Sequence, residues 1–568
     1  MLPRLSKRWE IHERIPQDID QSLALYPQFF RQILFARGIH SETEARAYLE
    51  DGLEQSDPFQ LTDMEAAVDR LSRAINQDEA IAVYGDYDVD GVTATALLTQ
   101  VLRRYGAEVI HYIPNRFDEG YGLNIEALET LSSQGVRLVV TVDCGIRSPR
   151  EAERARELGI DLMISDHHHP GEEIPDACAV ICPKRPGDRY PDKDLSGVGL
   201  AYKIAQALEI RRPEDEVNAD DWLDLVALGT VADVVPLCGE NRTLVRRGLQ
   251  RIRSGGRAGL NSLAGVAGIR IPQVGAGDIA FMLGPRLNAA GRLDTAMDSL
   301  RLLMCEDIML AGMLAQQLDD QNRKRQEITQ QTQKDAIRQA EEFGVDEILF
   351  AFSNEYNPGI VGLAASRLVD SFYRPAIVGY DDVEHGVTRA SCRSIPEFHI
   401  TQALDQCQDL LVRHGGHALA AGFTVKNENR PELIRRLHEI AKKELSGKDL
   451  KPALRADLDI PLFELRPDFL PYLDMLQPTG QANPEAVFVS RNLKVLHSKK
   501  VGSEGQHLRL TVSDGRITYD GIAFRQGYRG DNFPARVDLM YVFERNEFNG
   551  RVSLQLNVRD FKASGTPD

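Results

Sequence analysis

The sequence predicts an α/β protein: two α/β domains joined by a long helix, then a small OB-like β-barrel at the C-terminal end. Three observations carry this expectation. Short apolar, β-branched runs alternate with helical stretches in two blocks, roughly residues 65–300 and 346–450. A long polar stretch without proline lies between the blocks. Beyond residue 450 the pattern changes to short alternating strands punctuated by turn residues. At 568 residues the chain is too long for one core.

Taken in order, residues 1–60 are expected to form a helical leader, in which Ser41 and Glu44 make a capping box. Residues 61–300 form the first α/β domain. Its apolar runs at 80–84, 138–142 and 162–165 each end in chemistry: Gly85-Asp86-Tyr87-Asp88-Val89-Asp90-Gly91, Asp143-Cys144-Gly145 and Asp166-His167-His168-His169-Pro170. Strands separated by helices are parallel, and a parallel sheet gathers its carboxyl ends along one edge, where ligands bind. A further helical segment at 221–228 runs into Gly229-Thr230-Val231-Ala232-Asp233. Residues 301–345 are the connecting helix, whose middle, 319–327, is very polar. The second α/β domain, 346–450, opens on the strand 348–352 and closes with a Lys-rich helix and the turn Ser446-Gly447-Lys448. The remainder, 451–568, carries strands at 487–489, 493–496, 508–512 and 552–556, with turns at Ser513-Asp514-Gly515 and Asn549-Gly550, which suits a sandwich or an oligonucleotide-binding barrel.

Composition narrows the function classes. Apolar content of 42% and charged content of 27% are those of a soluble protein. No apolar run approaches the roughly 18 residues a membrane helix needs, and the basic N-terminus lacks the apolar core of a secretory signal. The seven scattered cysteines are expected to be reduced, cytoplasmic thiols, and Cys178 and Cys182 lack the second pair a zinc site needs. A net charge of −18 argues against indiscriminate duplex binding. Charge can still be local: Arg242, Arg246, Arg247, Arg251, Arg253 and Arg257 follow one another with no acid among them. They are either a solvated helix face or a nucleic-acid patch.

Asp86, Asp88 and Asp90 alternate directly after a strand. A calcium loop of the EF-hand type fails because position 97 is Leu, and a Walker loop fails because no Gly-Lys-Ser/Thr follows. A solvated turn remains as the alternative. Asp143 and the Asp166-His167-His168 run favour metal: carboxylates suit hard cations, imidazole adds affinity for manganese, and adjacent histidines point different ways. Asp233 lies among Val231, Ala232, Val234 and Val235, where a carboxylate needs a cation, either a metal or a buried arginine.

These ordered motifs, with Val-Ala-Asp-Val-Val-Pro-Leu around Asp233 and Gly415-Gly416-His417-Ala418-Leu419-Ala420-Ala421-Gly422-Phe423 in the second block, resemble the DHH phosphoesterase superfamily with its associated DHHA1 domain. Pro114-Asn115-Arg116 with Glu119-Gly120-Tyr121-Gly122-Leu123, the segment 284–292 and Ser391-Cys392-Arg393-Ser394 narrow the resemblance to its single-strand-specific 5′→3′ DNA exonucleases. Cys144, where Asn or Thr is common, and the extra His169 are departures that remove no ligand. The resemblance implies a DHH core over 61–300, DHHA1 over 346–450, and two divalent cations, Mn²⁺ or Mg²⁺, on Asp88, Asp90, Asp143, His167 and Asp233, with Asp86 as a further ligand. It places His168 and His417 at the scissile phosphate, and Arg116, Ser391 and Arg393 at the 5′-phosphate. Arg286, Arg292, Arg367, Gln326, Gly415 and Gly416 would meet the DNA, although for each arginine a structural ion pair is the alternative. The implied partners are single-stranded DNA, a RecQ-type helicase and a single-strand-binding protein, with no membrane, in DNA repair and recombination. Two other readings stay open: a DHH phosphodiesterase of short oligonucleotides or cyclic dinucleotides, and a catalytically silent DNA-binding factor.

Overall fold

A computed structural model describes residues 6–50, 55–116, 119–120, 122–531, 533–548 and 551–566. Tyr121 and the Asn549-Gly550 turn lie outside them. The leader is not purely helical. It opens on strand β1 (Arg8–Ile11), followed by helices α1 (Gln28–Ala36) and α2 (Glu42–Leu49), and Ser41 and Glu44 form the expected capping box.

The first α/β domain begins with α3 (Met64–Asn76). Then come β2 (Ile81–Gly85), α4 (Val89–Arg104), β3 (Val109–Tyr112), α5 (Ile125–Ser133), β4 (Leu138–Val142), α6 (Pro149–Glu157), β5 (Asp161–Ser165) and β6 (Ala179–Ile181). The strands pair in parallel in the order β3-β2-β4-β5-β6. β2, β4 and β5 are buried along nearly their whole lengths, which explains their continuous apolar sequence. Chain order reverses between β2 and β4, so the crevice of the sheet opens there. In register, Gly85 lies opposite Val142 and Val142 opposite Ser165, so the next residues, Asp86, Asp143 and Asp166, leave three adjacent strands at one level.

Helices α4 and α7 (Gly197–Arg211) lie on this sheet, α8 (Leu223–Ala232) packs on those two helices, and α9 (Gly239–Arg253) packs on α8. α8 is apolar on all sides and almost wholly buried, and its C-terminal cap is Asp233. A π-helical turn at Ile279–Leu283 leads into α10 (Gly284–Leu293). The bridging helix α11 (Ile308–Phe343) is 36 residues long and starts from Asp307 as N-cap.

The second α/β domain comprises β7 (Leu349–Ser353), α12 (Val361–Phe372), β8 (Ala376–Asp382), β9 (Val387–Arg393), β10 (Leu411–Gly416), β11 (Ala420–Lys426) and α13 (Arg430–Leu445). Its sheet, ordered β10-β11-β9-β8-β7, is mixed: only β7 and β8 are parallel. The C-terminal part starts with β12 (Ala453–Ala456) and β13 (Leu458–Asp459). Strands β14 (Phe488–Val501), β15 (His507–Ser513), β16 (Thr518–Ala523), β17 (Arg536–Phe548) and β18 (Arg551–Ala563) then close a barrel: order β14-β15-β16-β18-β17, with β17 returning to β14 and β16 parallel to β18. That is the Greek-key closure of an OB fold.

The arginine run on and after α9 is neither a solvated face nor a nucleic-acid patch. Arg242 is buried and donates to the carbonyls of Leu476, Pro478, Met475 and Tyr48. Arg246 donates to Leu49 O and Arg253 to Val274 O. Arg247, Arg251 and Arg257 pair with Asp220, Asp221 and Asp224. Arg242 and Arg246 fasten the first α/β domain to its neighbours, and the other four tie its own segments together.

Candidate active site

The strand ends and two helix ends bring the predicted acids together. Asp88 caps α4 and accepts from the N–H groups of Asp90 and Gly91. Asp90, fully buried, accepts from Gly197 N and Val198 N, both at 2.7 Å, so the first turn of α7 fixes its carboxylate. Residue 197 must be glycine, because a side chain there would meet Asp143 Cβ at 2.6 Å. Asp143 has a left-handed backbone, φ 64°. His167 Nε2 lies 3.1 Å from Asp143 Oδ1, 3.6 Å from Asp233 Oδ2 and 3.9 Å from Asp90 Oδ2. The ligand atoms of Asp86, Asp88 and Asp143, and those of Asp90, His167 and Asp233, form two adjoining triads, each within 4.8 Å.

The electrostatics of this cluster disfavour uncompensated carboxylates. Burial first, and then the neighbouring carboxylates, push Asp90 up to about 7 and Asp233 up to about 9, and raise Asp86 and Asp143 well above the carboxylate range. Burial also drops His167 to about 3, so its imidazole is neutral at any ordinary pH. Asp86 Oδ1, Asp143 Oδ1 and His167 Nε2 are buried without a hydrogen-bond partner among the described residues. Orphaned acceptors beside a neutral imidazole are the donor set of a hard-to-borderline divalent ion.

The second histidine of the pair does not turn away from its neighbour: the two rings lie 4.5 Å apart between centroids, and their ligand atoms form a third group with Asp143 within 4.8 Å. His168 Nδ1 lies 2.8 Å from Asp166 Oδ1; burial opposes its charged form, but Asp166 outweighs this and raises its pKa. Asp166, also held by Ile146 N, therefore positions His168, a role the sequence reading did not give it. The third histidine, His169, meets His417 of the second domain at 6.3 Å between ring centroids. Lys184, likewise missed, acts electrostatically on Asp233, His167 and His417.

A cleft of about 560 Å³ runs beside this cluster, lined by Tyr87 and Arg116 from the first domain and Arg389, Ser391, Arg413 and Gly415 from the second. Arg116 stacks 4.9 Å over the Tyr87 ring. Burial and, to a lesser extent, the Arg116 charge lower the pKa of Arg393. Gly416, φ 148°, ends β10 where a side chain would strike Ala420 O at 2.4 Å, whereas Gly415 opens on the cleft. Arg292 reaches the same region, donates to Gly359 O at 3.3 Å, and is lowered to about 10 by burial and by Arg116. Three other residues expected to meet the DNA are not among those that line this cleft. Arg286 is bound to Asp319 at 2.9 Å and to Met282 O, which is the ion-pair alternative. Arg367 is half-exposed with Asp370 at 3.7 Å, and Gln326 is exposed on α11.

Three family models match the chain: the DHH family N-terminal domain over residues 80–230, the DHHA1 domain over 346–443 and the RecJ OB domain over 456–560. The chain is 38% identical over 565 residues to the single-stranded-DNA-specific exonuclease RecJ of Bacillus subtilis, covering 98% of this chain and 71% of that one. It is 36% identical to the exonuclease of the same name from Escherichia coli, covering 95% and 97%. Its fold is similar to the crystal structure of RecJ in complex with Mn²⁺ from Thermus thermophilus, with a TM-score of 0.84 at 28% identity, covering 99% of this chain and 80% of that one.

Proposed function

The chain belongs to the RecJ family, and on that premise we infer that it is a metal-dependent exonuclease that degrades single-stranded DNA from the 5′ end and releases 5′-mononucleotides. The observation that carries this reading is the buried cluster of orphaned acid and imidazole atoms beside an arginine-lined cleft. Asp86, Asp88, Asp90, Asp143, His167 and Asp233 would hold two divalent cations, Mn²⁺ or Mg²⁺, which when bound neutralise the cluster and polarise the scissile phosphate. His168, whose charged form Asp166 favours, offers a donor to that phosphate. His417 approaches the same place from the second domain. Arg116, Ser391 and Arg393 take the 5′-phosphate between the two domains, which sets the polarity of digestion.

The domain limits that go with this function are a leader to residue 60, catalysis over 61–300, the connecting helix over 301–345, substrate binding over 346–450 and the barrel over 451–568. Among the described residues no helix is long and apolar enough to cross a membrane. A cytoplasmic location suits a DNA substrate and seven free cysteines. Removal of 5′-ended strands suits repair and recombination, where a RecQ-type helicase and a single-strand-binding protein would supply and present the substrate.

The test is digestion of 5′-phosphorylated single-stranded DNA labelled at either end, with Mn²⁺ or chelator. Metal-dependent loss of nucleotides from the 5′ end, absent on blunt duplex and in Asp143→Ala, is expected. Hydrolysis of a dinucleotide alone would move the protein to the short-oligonucleotide phosphodiesterases, and binding without hydrolysis to the silent factors.

A further inference from the structure

The cleft beside the metal cluster is larger than one terminal phosphate requires. At about 560 Å³ it falls in the range of pockets that enclose whole small molecules, roughly 300–1,000 Å³. Its lining holds three arginines, Arg116, Arg389 and Arg413, and no carboxylate among the described residues. Arg116 belongs with Ser391 and Arg393 in the 5′-phosphate pocket. The other two have no part in it.

Sheet register fixes where those two stand. Ser391, Gly422 and Gly415 lie directly opposite one another on β9, β11 and β10. Arg389, Thr424 and Arg413 form the next row of the same face, two residues along each strand, which is roughly 7 Å away. The glycines leave the Ser391 row flat, and the two arginines wall its end. In the other direction β9 leads toward the metal cluster. Arg393 lies opposite Ala420, whose carbonyl accepts from His417 N, and His417 meets His169. The arginine row is therefore the end of the cleft remote from the scissile bond. Arg413 Nε donates to Thr424 Oγ1 at 3.3 Å, and Arg389 Nη2 lies 3.4 Å from Asp382 Oδ2. These contacts orient both guanidinium groups, and neither has a further partner among the described residues. Two strands separate them, roughly 10 Å at the backbone, a gap that two arginine side chains can close on one anion. Phosphate oxygens match the planar, multi-donor guanidinium.

We infer that Arg389 and Arg413 form a subsite for the outer phosphates of a 5′-triphosphorylated strand, the end that chain initiation from a nucleoside triphosphate leaves. A 5′-monophosphate held at Ser391 has nothing to place there. The subsite rests on the proposed 5′-phosphate pocket and deepens it. Cleavage of the first internucleotide bond adds water across P–O3′: the hydroxyl goes to phosphorus and the proton to the 3′ oxygen. The first product is then a nucleoside 5′-triphosphate, and the shortened strand carries a 5′-monophosphate. A free nucleoside triphosphate has the same phosphate chain without the strand.

The experiment compares the wild-type full chain with Arg389→Gln, Arg413→Gln and the double variant on one oligonucleotide sequence carrying a 5′-hydroxyl, a 5′-monophosphate or a 5′-triphosphate. Affinity is read by fluorescence anisotropy of a 3′ label in chelator, and the first product by mass spectrometry in Mn²⁺. The wild type is expected to bind the triphosphorylated end more tightly than the monophosphorylated one and to release a nucleoside triphosphate first. The ratio of the two affinities should fall about tenfold in each single variant. Thymidine triphosphate, added as competitor, should bind more weakly than the triphosphorylated strand by about tenfold or more. An equal loss on both phosphorylated strands would overturn the subsite by putting these arginines in the 5′-phosphate pocket. So would rejection of the triphosphorylated end by the wild type, or an undiminished ratio in the double variant. Thymidine triphosphate as tight as the strand would overturn it too, by making the cleft a mononucleotide site. A wild type indifferent to monophosphate or hydroxyl would instead overturn the 5′-phosphate pocket itself. Binding without any shortening would overturn the exonuclease reading, while the affinity ratios would still decide the subsite.

Discussion

Asp143 stands where strand β4 ends, in a left-handed conformation that Asp tolerates better than most residues. Its carboxylate is the link between the two triads, since it adjoins His167 and also belongs with Asp86 and Asp88. Asp143→Asn keeps the shape and removes a charge from a crowded, desolvated group. Exonuclease activity in Mn²⁺ is expected to fall about 10²–10³-fold, while the Tm of the metal-free chain rises by about 2–4 °C as repulsion is relieved. Steady-state digestion and thermal melts in chelator check the two halves separately. Metal addition should stabilise the wild type by about 3 kcal/mol at a hundredfold excess over the dissociation constant, and Asp143→Asn much less. The acids and histidines of this site were legible in the sequence because each sits on or beside the end of a buried strand or helix. Asp166 was visible as a residue but not as the partner of His168. Within the polar run 319–327, Asp319 and Asn322 are buried whereas Gln326 is exposed. A uniformly polar stretch hides which side of a helix is buried.

The helices show what charge patterns conceal. A run of arginines without acids looks solvent-bound, but α9 receives its acids from residues 220–224 and its acceptors from chain ends far away in sequence. Arg242 is the central case: it donates to four backbone carbonyls while its guanidinium lies 4.2 Å over the Tyr48 ring. Arg242→Met would leave several of those carbonyls unmet at a buried junction. A loss of about 3 kcal/mol is expected, read as a lower urea midpoint with the chemistry at Asp143 preserved in the residual folded protein. Arg251→Ala, an exposed pair with Asp221, should change stability by less than about 1 kcal/mol in the same assay. Strand positions were easier to foresee than such junctions, since β2, β4 and β5 are apolar throughout and periodicity needs no partner to be recognised.

Across the whole molecule, the two chain ends form a unit that neither end's sequence announces. β1 pairs in parallel with β12, and Arg37 meets Asp457 at 2.8 Å. Phe30, Ile33 and Leu34 of α1 share a core with Phe469, Phe488 and Tyr541, and Phe29 stacks on Phe469 with centroids 3.5 Å apart. Removal of residues 1–50 is therefore expected to expose the barrel's packing surface. Limited proteolysis should then cleave beyond residue 450 while the 61–450 portion resists, and an equally resistant barrel would contradict the shared core.

That shared core has a consequence for how the protein is made. The leader leaves the ribosome first, but Asp457, the partner of its Arg37, lies 420 residues later. At ordinary translation rates its phenylalanine-rich helix waits roughly 20–80 s before anything can cover it. During that interval the nascent chain exposes an apolar surface that chaperones can seize, so yield of the soluble protein in cells should respond to chaperone supply more than its final stability would suggest.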